Sequence, residues 1–351
     1  MRIKRKIWID ALTPKQALYT KAMRERAPAS VELLVTTRDY SELNQFTRQI
    51  KLKNIPFGKH GGGLIQNKLK ASIELMLALA PFVSKNDFDC SLSFISPEAA
   101  RVSFGLGLKH FICSDSPHAA APSRLAVPLA TKLFTPFPIP KERWTQYGID
   151  SSQVSAYHAL DPWAWLLSRD RPEERNGHES SVLIRLEESY ASYLKSGKGI
   201  TSLLSELIRK IKSIGDFEIS IIPRYDEQRS WARKKFGRIC IVPESTVDGA
   251  ELISRACLVI GGGGTMTQEA AILGVPNISY FPSAKLDVFE NYYFPKKLSS
   301  RASNPSELIK QTSHLLTNIE DAKSQFSSRA KRAISTFEDP VKFLFHEILK
   351  D

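Results

Sequence analysis

The sequence predicts an α/β protein made of two Rossmann-like domains, each a parallel sheet covered by helices on both faces. Three observations lead there. Short, continuously apolar runs alternate with segments of helical period, the pattern of strands buried on both faces. The alternation stops once, at DPWAWLLSRDRPEERNGHES (161–180), which is rich in Pro, Arg and Glu and has no period. The chain has 351 residues, too many for one ordinary domain and enough for two with their own cores.

In the first half the predicted strands are KIWID (6–10), VELLVTT (31–37), DCSLSFI (89–95), KHFICSD (109–115) and KLFTPF (132–137). Between them lie the helical segments PKQALYTKAMRER, NKLKASIELMLALAPFV and PEAARVSFGLG, and the stretch around Ser123–Thr131. After the interruption come VLIRL (182–186), EISIIP (218–223), RICIVP (238–243), CLVI (257–260) and NISYF (277–281), again separated by helical segments. The tail is helical by period and has no strand to follow it. These signals divide the chain into a first domain 1–160, a connection 161–180, a second domain 181–335 and a terminal helix 336–351. Ligands bind at the carboxyl ends of parallel strands, so two such sheets joined by a linker are expected to face a cleft that holds the site.

Composition narrows the class. The chain is 42% hydrophobic and 25% charged, with no apolar run long enough to span a membrane. The N-terminus, MRIKRKIWID, passes straight into a strand-like run without the apolar region of an export signal. Cys90, Cys113, Cys240 and Cys257 lie far apart, without metal-ligand spacing, and are expected to be reduced core residues of a cytoplasmic protein. The net charge of +12 is uneven, because residues 1–160 carry 22 Lys and Arg against 12 Asp and Glu. Solvated lysines account for such an excess as well as an anionic partner does. Neither zinc-finger spacing nor a basic aromatic strand pattern is present, and no specific nucleic-acid partner is expected. KHGGGLIQNKLKASIELMLALAPFV joins a basic loop to an amphipathic helix; a layer helix of the sheet is its first reading, and peripheral contact of the basic domain with a membrane surface its second.

The stretch CLVIGGGGTMTQEAAILGVPNISYF (257–281) carries the clearest chemistry. A strand that ends in glycines and opens a helix presents free main-chain N–H groups and the positive end of the helix dipole, with no side chain to hold an anion off. Gly261, Gly262, Gly263, Gly264 and the N–H of Thr265 are the candidate phosphate donors, while the Thr265 and Thr267 hydroxyls add contacts or cap the helix. The run lacks the Gly-Lys-Ser/Thr of a Walker A loop, and Thr267 stands where a dinucleotide fingerprint needs its last glycine. Glu269, one turn in, lies about where a ribose would sit if a diphosphate rested on the glycines, and a carboxylate accepts from both ribose hydroxyls. The alternative is a carboxylate that merely favours its helix dipole and faces water.

Arg185 and Arg224 each follow a strand; each either neutralises a diphosphate or pairs at the surface with Glu187, Glu188 or Asp226. In SDSPHA, Asp115 and His118 form a carboxylate/imidazole pair in which His118 is the candidate general base, or else an N-cap beside a half-buried histidine. Asp10, Thr13 and Lys15 open the first helix and are candidates for contact with an acceptor or a sugar, although Thr13-Pro14 is also an ordinary helix start.

Gly263, Glu269, Gly274 and Pro276 form G-x5-E-x4-G-x-P after an apolar strand, which resembles the nucleotide-sugar signature of the two-domain GT-B enzymes. Those enzymes include the peptidoglycan UDP-N-acetylglucosamine transferase and the UDP-N-acetylglucosamine 2-epimerases. More closely, WIDALTPKQ, GKHGG, SPEAARVSFGLG, SDSPHA and RLEES resemble an archaeal and bacterial family of that superfamily, domain of unknown function 354. The resemblance implies a glycine turn that holds the diphosphate of a UDP-sugar, Glu269 on its ribose, and a last helix near Lys342–Lys350 that crosses back to the first domain. The 2-epimerases have serine where this chain has Gly263, and their N-terminal arginine-containing loop is missing. The transferase has a glycine-rich first loop with a histidine where this chain has Asp10-Ala-Leu-Thr-Pro-Lys-Gln16, so catalytic residues do not carry over from either. The expected function is a UDP-sugar dependent glycosyltransferase with no cofactor, whose acceptor is unidentified and is anionic or lipid-linked by the charge of the first domain. The alternatives are a 2-epimerase and a binding protein for sugar nucleotides or polyanions without turnover.

Overall fold

The computed structural model describes residues 4–168, 180–187, 199–244, 247–262, 264–281 and 285–350. They form two compact units, Met1–Leu167 with Phe337–Asp351, and Ser168–Thr336.

Unit 1 runs β1 (Arg5–Ala11), α1 (Pro14–Glu25), β2 (Val31–Asp39), α2 (Ser41–Gln49), β3 (Ile55–Lys59), α3 (Ile65–Lys85) and β4 (Cys90–Ser93). It continues through α4 (Pro97–Gly105), β5 (Lys109–Cys113), α5 (Ala120–Ala126), β6 (Lys132–Pro136), α6 (Glu142–Thr145), β7 (Val154–Tyr157) and α7 (Trp163–Leu166). The sheet is parallel, in the order β3-β2-β1-β4-β5-β6-β7. Its central strand β1 buries Ile7, Trp8 and Ile9 completely, so side chains on both faces leave water, as a doubly covered strand requires. Trp8 packs with Leu75, Leu79 and Val83 of α3, and its indole N–H donates to Thr36 at 2.8 Å.

Unit 2 runs β8 (Ser181–Arg185), α8 (Ile200–Ile214), β9 (Glu218–Ile222), α9 (Asp226–Phe236), α10 (Gly249–Ser254), β10 (Leu258–Gly261), α11 (Thr265–Leu273) and β11 (Asn277–Tyr280). β12 (Ser300–Ala302), α12 (Pro305–Thr317) and α13 (Ile319–Ile334) complete it, around a parallel sheet ordered β12-β11-β10-β8-β9. Alternate residues divide between two cores: Val182, Ile184 and Ile260 pack with Leu204 and Leu308, while Leu183 and Val259 pack with Ile253 and Ala270. Both units are thus Rossmann-like parallel sheets with flanking helices, as the sequence predicts.

The chain then returns to unit 1 as α14 (Pro340–Lys350). Phe343 sets its ring edge against Phe134 of β6, Glu347 pairs with Lys132 at 2.7 Å, and the Arg5 guanidinium donates to the Ile348 carbonyl at 2.9 Å. Arg26 pairs with Asp339 at 2.8 Å just before the helix.

The structure differs from the sequence reading in a few places. β3, β7 and β12 have no counterpart in it, and all three are sheet edges. RICIVP (238–243) is not a strand: Ile241 makes a single bridge to Ser220, and Ile239 and Ile241 are exposed. Residues 161–167, assigned to the connection, lie in unit 1, where α7 packs on α1. Cys90, Cys113, Cys240 and Cys257 are buried free thiols. Among the described residues, no helix is long and apolar enough to cross a membrane.

Gly274 ends α11 with φ +77°, and a Cβ there would lie 2.8 Å from the Ser327 Cα of α13. Left-handed backbone and close approach both require glycine. Gly274→Ala is expected to destabilise unit 2 by about 2 kcal/mol or more, read as a lower urea midpoint; an unchanged midpoint would show that α13 yields freely.

Candidate functional site

In unit 2 the glycine turn joins β10 to α11. Gly264 is the N-cap and offers no side chain, so the first N–H groups of α11 are not capped from within their own turn. Gly263 lies outside the described residues. Two of the other glycines owe their identity to close neighbours. A Cβ on Gly261 would meet the Thr267 hydroxyl at 2.6 Å, and one on Gly264 would meet Arg224 Nη2 at 2.9 Å. The missing side chain at Gly264 therefore lets the Arg224 guanidinium close on the start of the helix, adding a cation to the dipole. Gly262 and Thr265 are half-buried beside it, and Thr267 is buried against Gly261.

Arg224 and Arg185 are held by main chain. The Arg224 Nε donates to the Leu186 carbonyl at 3.2 Å, and its main-chain N–H donates to Gln228 Oε1 at 2.8 Å. Arg185 Nη1 donates to the Pro223 carbonyl at 2.6 Å, and its Cβ is 3.6 Å from where a Gly261 Cβ would lie. Since β10, β8 and β9 are adjacent, the two arginines and the glycine turn gather at the carboxyl ends of these strands. Among the carboxylates expected as their partners, Asp226 pairs with Arg229, Glu187 accepts from the Thr201 N–H at 3.0 Å, and Glu188 lies outside the described residues.

Glu269 does not face water. It is 2% exposed, and its Oε2 lies 3.4 Å from where a Gly249 Cβ would be, next to the start of α10. Asp248 caps that helix, accepting from the Ala250 N–H at 3.1 Å.

In unit 1, Lys15 and Asp115 meet. Lys15 Nζ is 2.6 Å from Asp115 and 2.7 Å from Asp161, with the ammonium side chain 23% exposed and the carboxylates 7% and 3%. Tyr157 donates to the second oxygen of Asp161, and Ser116 donates to that of Asp115 at 2.8 Å. Burial works against the Lys15 charge, but the two carboxylates outweigh it and hold the ammonium above the ordinary lysine range. Burial raises the Asp161 carboxyl; Lys15 opposes that and the Asp115 charge adds to it. Two carboxyl groups sharing one partly open ammonium can hold and move a proton.

The sequence reading names Lys15 and Asp115 separately and pairs Asp115 with His118. In the structure Asp115 also meets Lys15, and His118 is half-buried in the following turn, where Tyr147 donates to the Pro117 carbonyl at 2.6 Å. Asp161 and Tyr157 were missed. The available signal was Asp161 four residues beyond the short apolar run that contains Tyr157. Thr13 is the N-cap of α1, accepting from the Gln16 N–H at 3.4 Å, while Gln16 Oε1 accepts from the Leu12 N–H at 2.6 Å.

Asp10 is 1% exposed at the end of β1 and accepts from the Thr36 hydroxyl at 2.8 Å. Burial pushes its carboxyl up to about 6, against the Ser96 and Thr36 hydrogen bonds. His110, also buried, bridges the Ser91 and Ser93 hydroxyls at 2.8 and 3.1 Å, and burial pushes its pKa down to about 3, so the ring is neutral. Among the described residues, no group of three or more His, Cys, Asp or Glu is placed to hold a metal ion.

Comparison with known proteins places this architecture. The family model described as protein of unknown function (DUF354) matches residues 5–351. The chain belongs to that family. An uncharacterized protein of Methanocaldococcus jannaschii is 24% identical over 359 residues, covering 97% of both chains. Among solved structures, the UDP-GlcNAc 2-epimerase of Neisseria meningitidis bound to UDP-GlcNAc superposes with a TM-score of 0.65 at 13% identity, over 99% of this chain and 100% of that one. The M. jannaschii UDP-GlcNAc 2-epimerase in complex with UDP-GlcNAc and UDP gives 0.64 at 16% identity, over 89% and 93%. At such identities the likeness is one of fold: this DUF354 chain has the two-sheet architecture of the GT-B enzymes.

Two predictions follow from the buried charges. The folded Asp10 binds its proton more tightly than the unfolded chain does, so its contribution favours folding below pH ~4 and is lost as pH rises to about 6. Asp10→Asn, which keeps an acceptor for Thr36, should be more stable than the wild type by about 2–3 kcal/mol above pH ~6, with the difference vanishing below pH ~4 in urea titrations. Lys15→Met leaves Asp115 and Asp161 facing each other, and should cost about 3–5 kcal/mol at neutral pH and less in acid, where the carboxylates protonate. A penalty that does not change with pH would show that the charges are not what the lysine holds.

Proposed function

We propose that the chain is a UDP-sugar isomerase of the 2-epimerase kind, with the nucleotide held by unit 2. The observation that carries the nucleotide part is the Arg224 guanidinium drawn onto the glycine-started α11, with Arg185 and buried Glu269 nearby. An anion at such a helix start meets N–H donors, dipole and guanidinium together. Glu269 is the candidate for the ribose hydroxyls.

The fold likeness to UDP-GlcNAc 2-epimerases over nearly the whole chain supports isomerisation ahead of transfer to an acceptor. C2 of a pyranose has no neighbouring carbonyl to acidify its proton, so inversion there goes through elimination. A base takes the C2 proton, the C1–O bond breaks with its electrons leaving on the diphosphate, and a C1–C2 double bond forms. A proton then returns to C2 on the other face, and the diphosphate oxygen attacks C1 again. Two proton-handling groups are needed, and Asp115 and Asp161, bridged by Lys15, are the candidates; His118 is the further candidate base.

Incubation with UDP-N-acetylglucosamine alone in D2O should yield the 2-epimer with deuterium at C2. Consumption only after an acceptor is added would replace this reading with a transferase. UDP binding without turnover in either assay would leave a binding protein. Glu269→Ala should weaken UDP binding by about 1.5–3 kcal/mol, measured by titration calorimetry, and unchanged affinity in the folded variant would remove the ribose assignment.

A further inference from the structure

α3 presents an apolar stripe to solvent that is uncovered among the described residues. Ile65, Leu69, Ile73 and Leu77 recur every four residues and are 84%, 63%, 47% and 71% exposed, whereas Leu75, Leu79 and Val83 of the same helix are buried. At 1.5 Å per residue the stripe is about 18 Å long. The neighbouring helices also carry exposed apolar side chains: α4, which packs on α3, has Phe104 at 58% exposure, and α5, which packs on α4, has Leu125 at 62%. Exposed apolar area of this extent on one face marks an interaction surface.

The charges around it identify the occupant. α3, α4 and α5 together carry five Lys and Arg against Glu74 and Glu98. Glu98 is 5% exposed, and Glu74 lies 3.8 Å from Lys70. Arg101 adjoins Phe104, one helical turn away, and Arg124 precedes Leu125, both arginines exposed. The face is therefore apolar with a cationic rim. A second copy seated on it would set that rim against itself, whereas an anionic bilayer complements both parts: acyl chains for the leucines and isoleucines, phosphates for the basic side chains. We infer that the outer face of α3, α4 and α5 docks peripherally on an anionic phospholipid surface. This inference uses no residue of the nucleotide site and stands apart from the isomerase reading.

Vesicle flotation with the full chain tests it. The protein should float with phosphatidylcholine vesicles containing phosphatidylglycerol, much less with phosphatidylcholine alone, and be released by about 0.5 M salt. Leu69→Glu with Leu77→Glu, at exposed positions, should keep the wild-type melting temperature and lose vesicle binding about tenfold or more. Arg101→Glu with Arg124→Glu is an independent second variant, expected to lose the preference for phosphatidylglycerol. Failure of the wild type to float, or binding unaltered in both variants, would overturn the inference. So would a wild-type dimer in sedimentation that Leu69→Glu with Leu77→Glu dissociates, with neither protein binding vesicles.

Discussion

A parallel sheet covered on both faces leaves its strands nowhere to put a charge except at their ends. In β1, β8 and β10 the interior residues are fully buried and apolar, and the polar chemistry begins where each strand stops: Asp10, Arg185, Gly261. Asp115 follows β5 in the same way. Polar side chains that remain inside are tied to one another, as Ser91, His110 and Ser93 are, or Trp8, Thr36 and Asp10. The layout of functional groups is thus a result of the burial that holds the sheets together.

The two units use that constraint with opposite charge. At the strand ends of unit 2, cations and N–H groups converge: two arginines anchored by main-chain carbonyls, and a helix start opened by glycines. Anchoring by carbonyls holds both guanidinium groups in place beside the helix start. In unit 1 the Lys15 ammonium stands between two carboxyl groups, Asp115 and Asp161. Burial raises the Asp161 and Asp10 carboxyl groups above the usual carboxylate range, and at Asp161 the Lys15 ammonium opposes that shift.

Much of this was legible in the sequence because central strands are apolar throughout and the glycine motif is local. What was not legible has physical reasons. The strands missed, β3, β7 and β12, are edges, where one side meets solvent and the apolar run is short or broken, by Pro56 and Gly58 in β3. RICIVP reads as a strand, yet it lies outside β9 and keeps only a bridge. Lys15 and Asp115 were each recognised as candidates, but their union with Asp161 joins residues far apart in sequence, which no periodicity reports. The approach of Arg224 to Gly264 is hidden for the same reason.

The return of α14 to unit 1 bears on how the chain is made. Phe134 and Tyr157 pack against Phe343, and Lys132, Arg26 and Arg5 find partners in residues 339–348. On the ribosome these partners emerge after all of unit 2, which is continuous in sequence and free to close first. The strands of unit 1 are therefore synthesised before unit 2 but fully enclosed only after it, and the flank of β6 stays uncovered until α14 has been made.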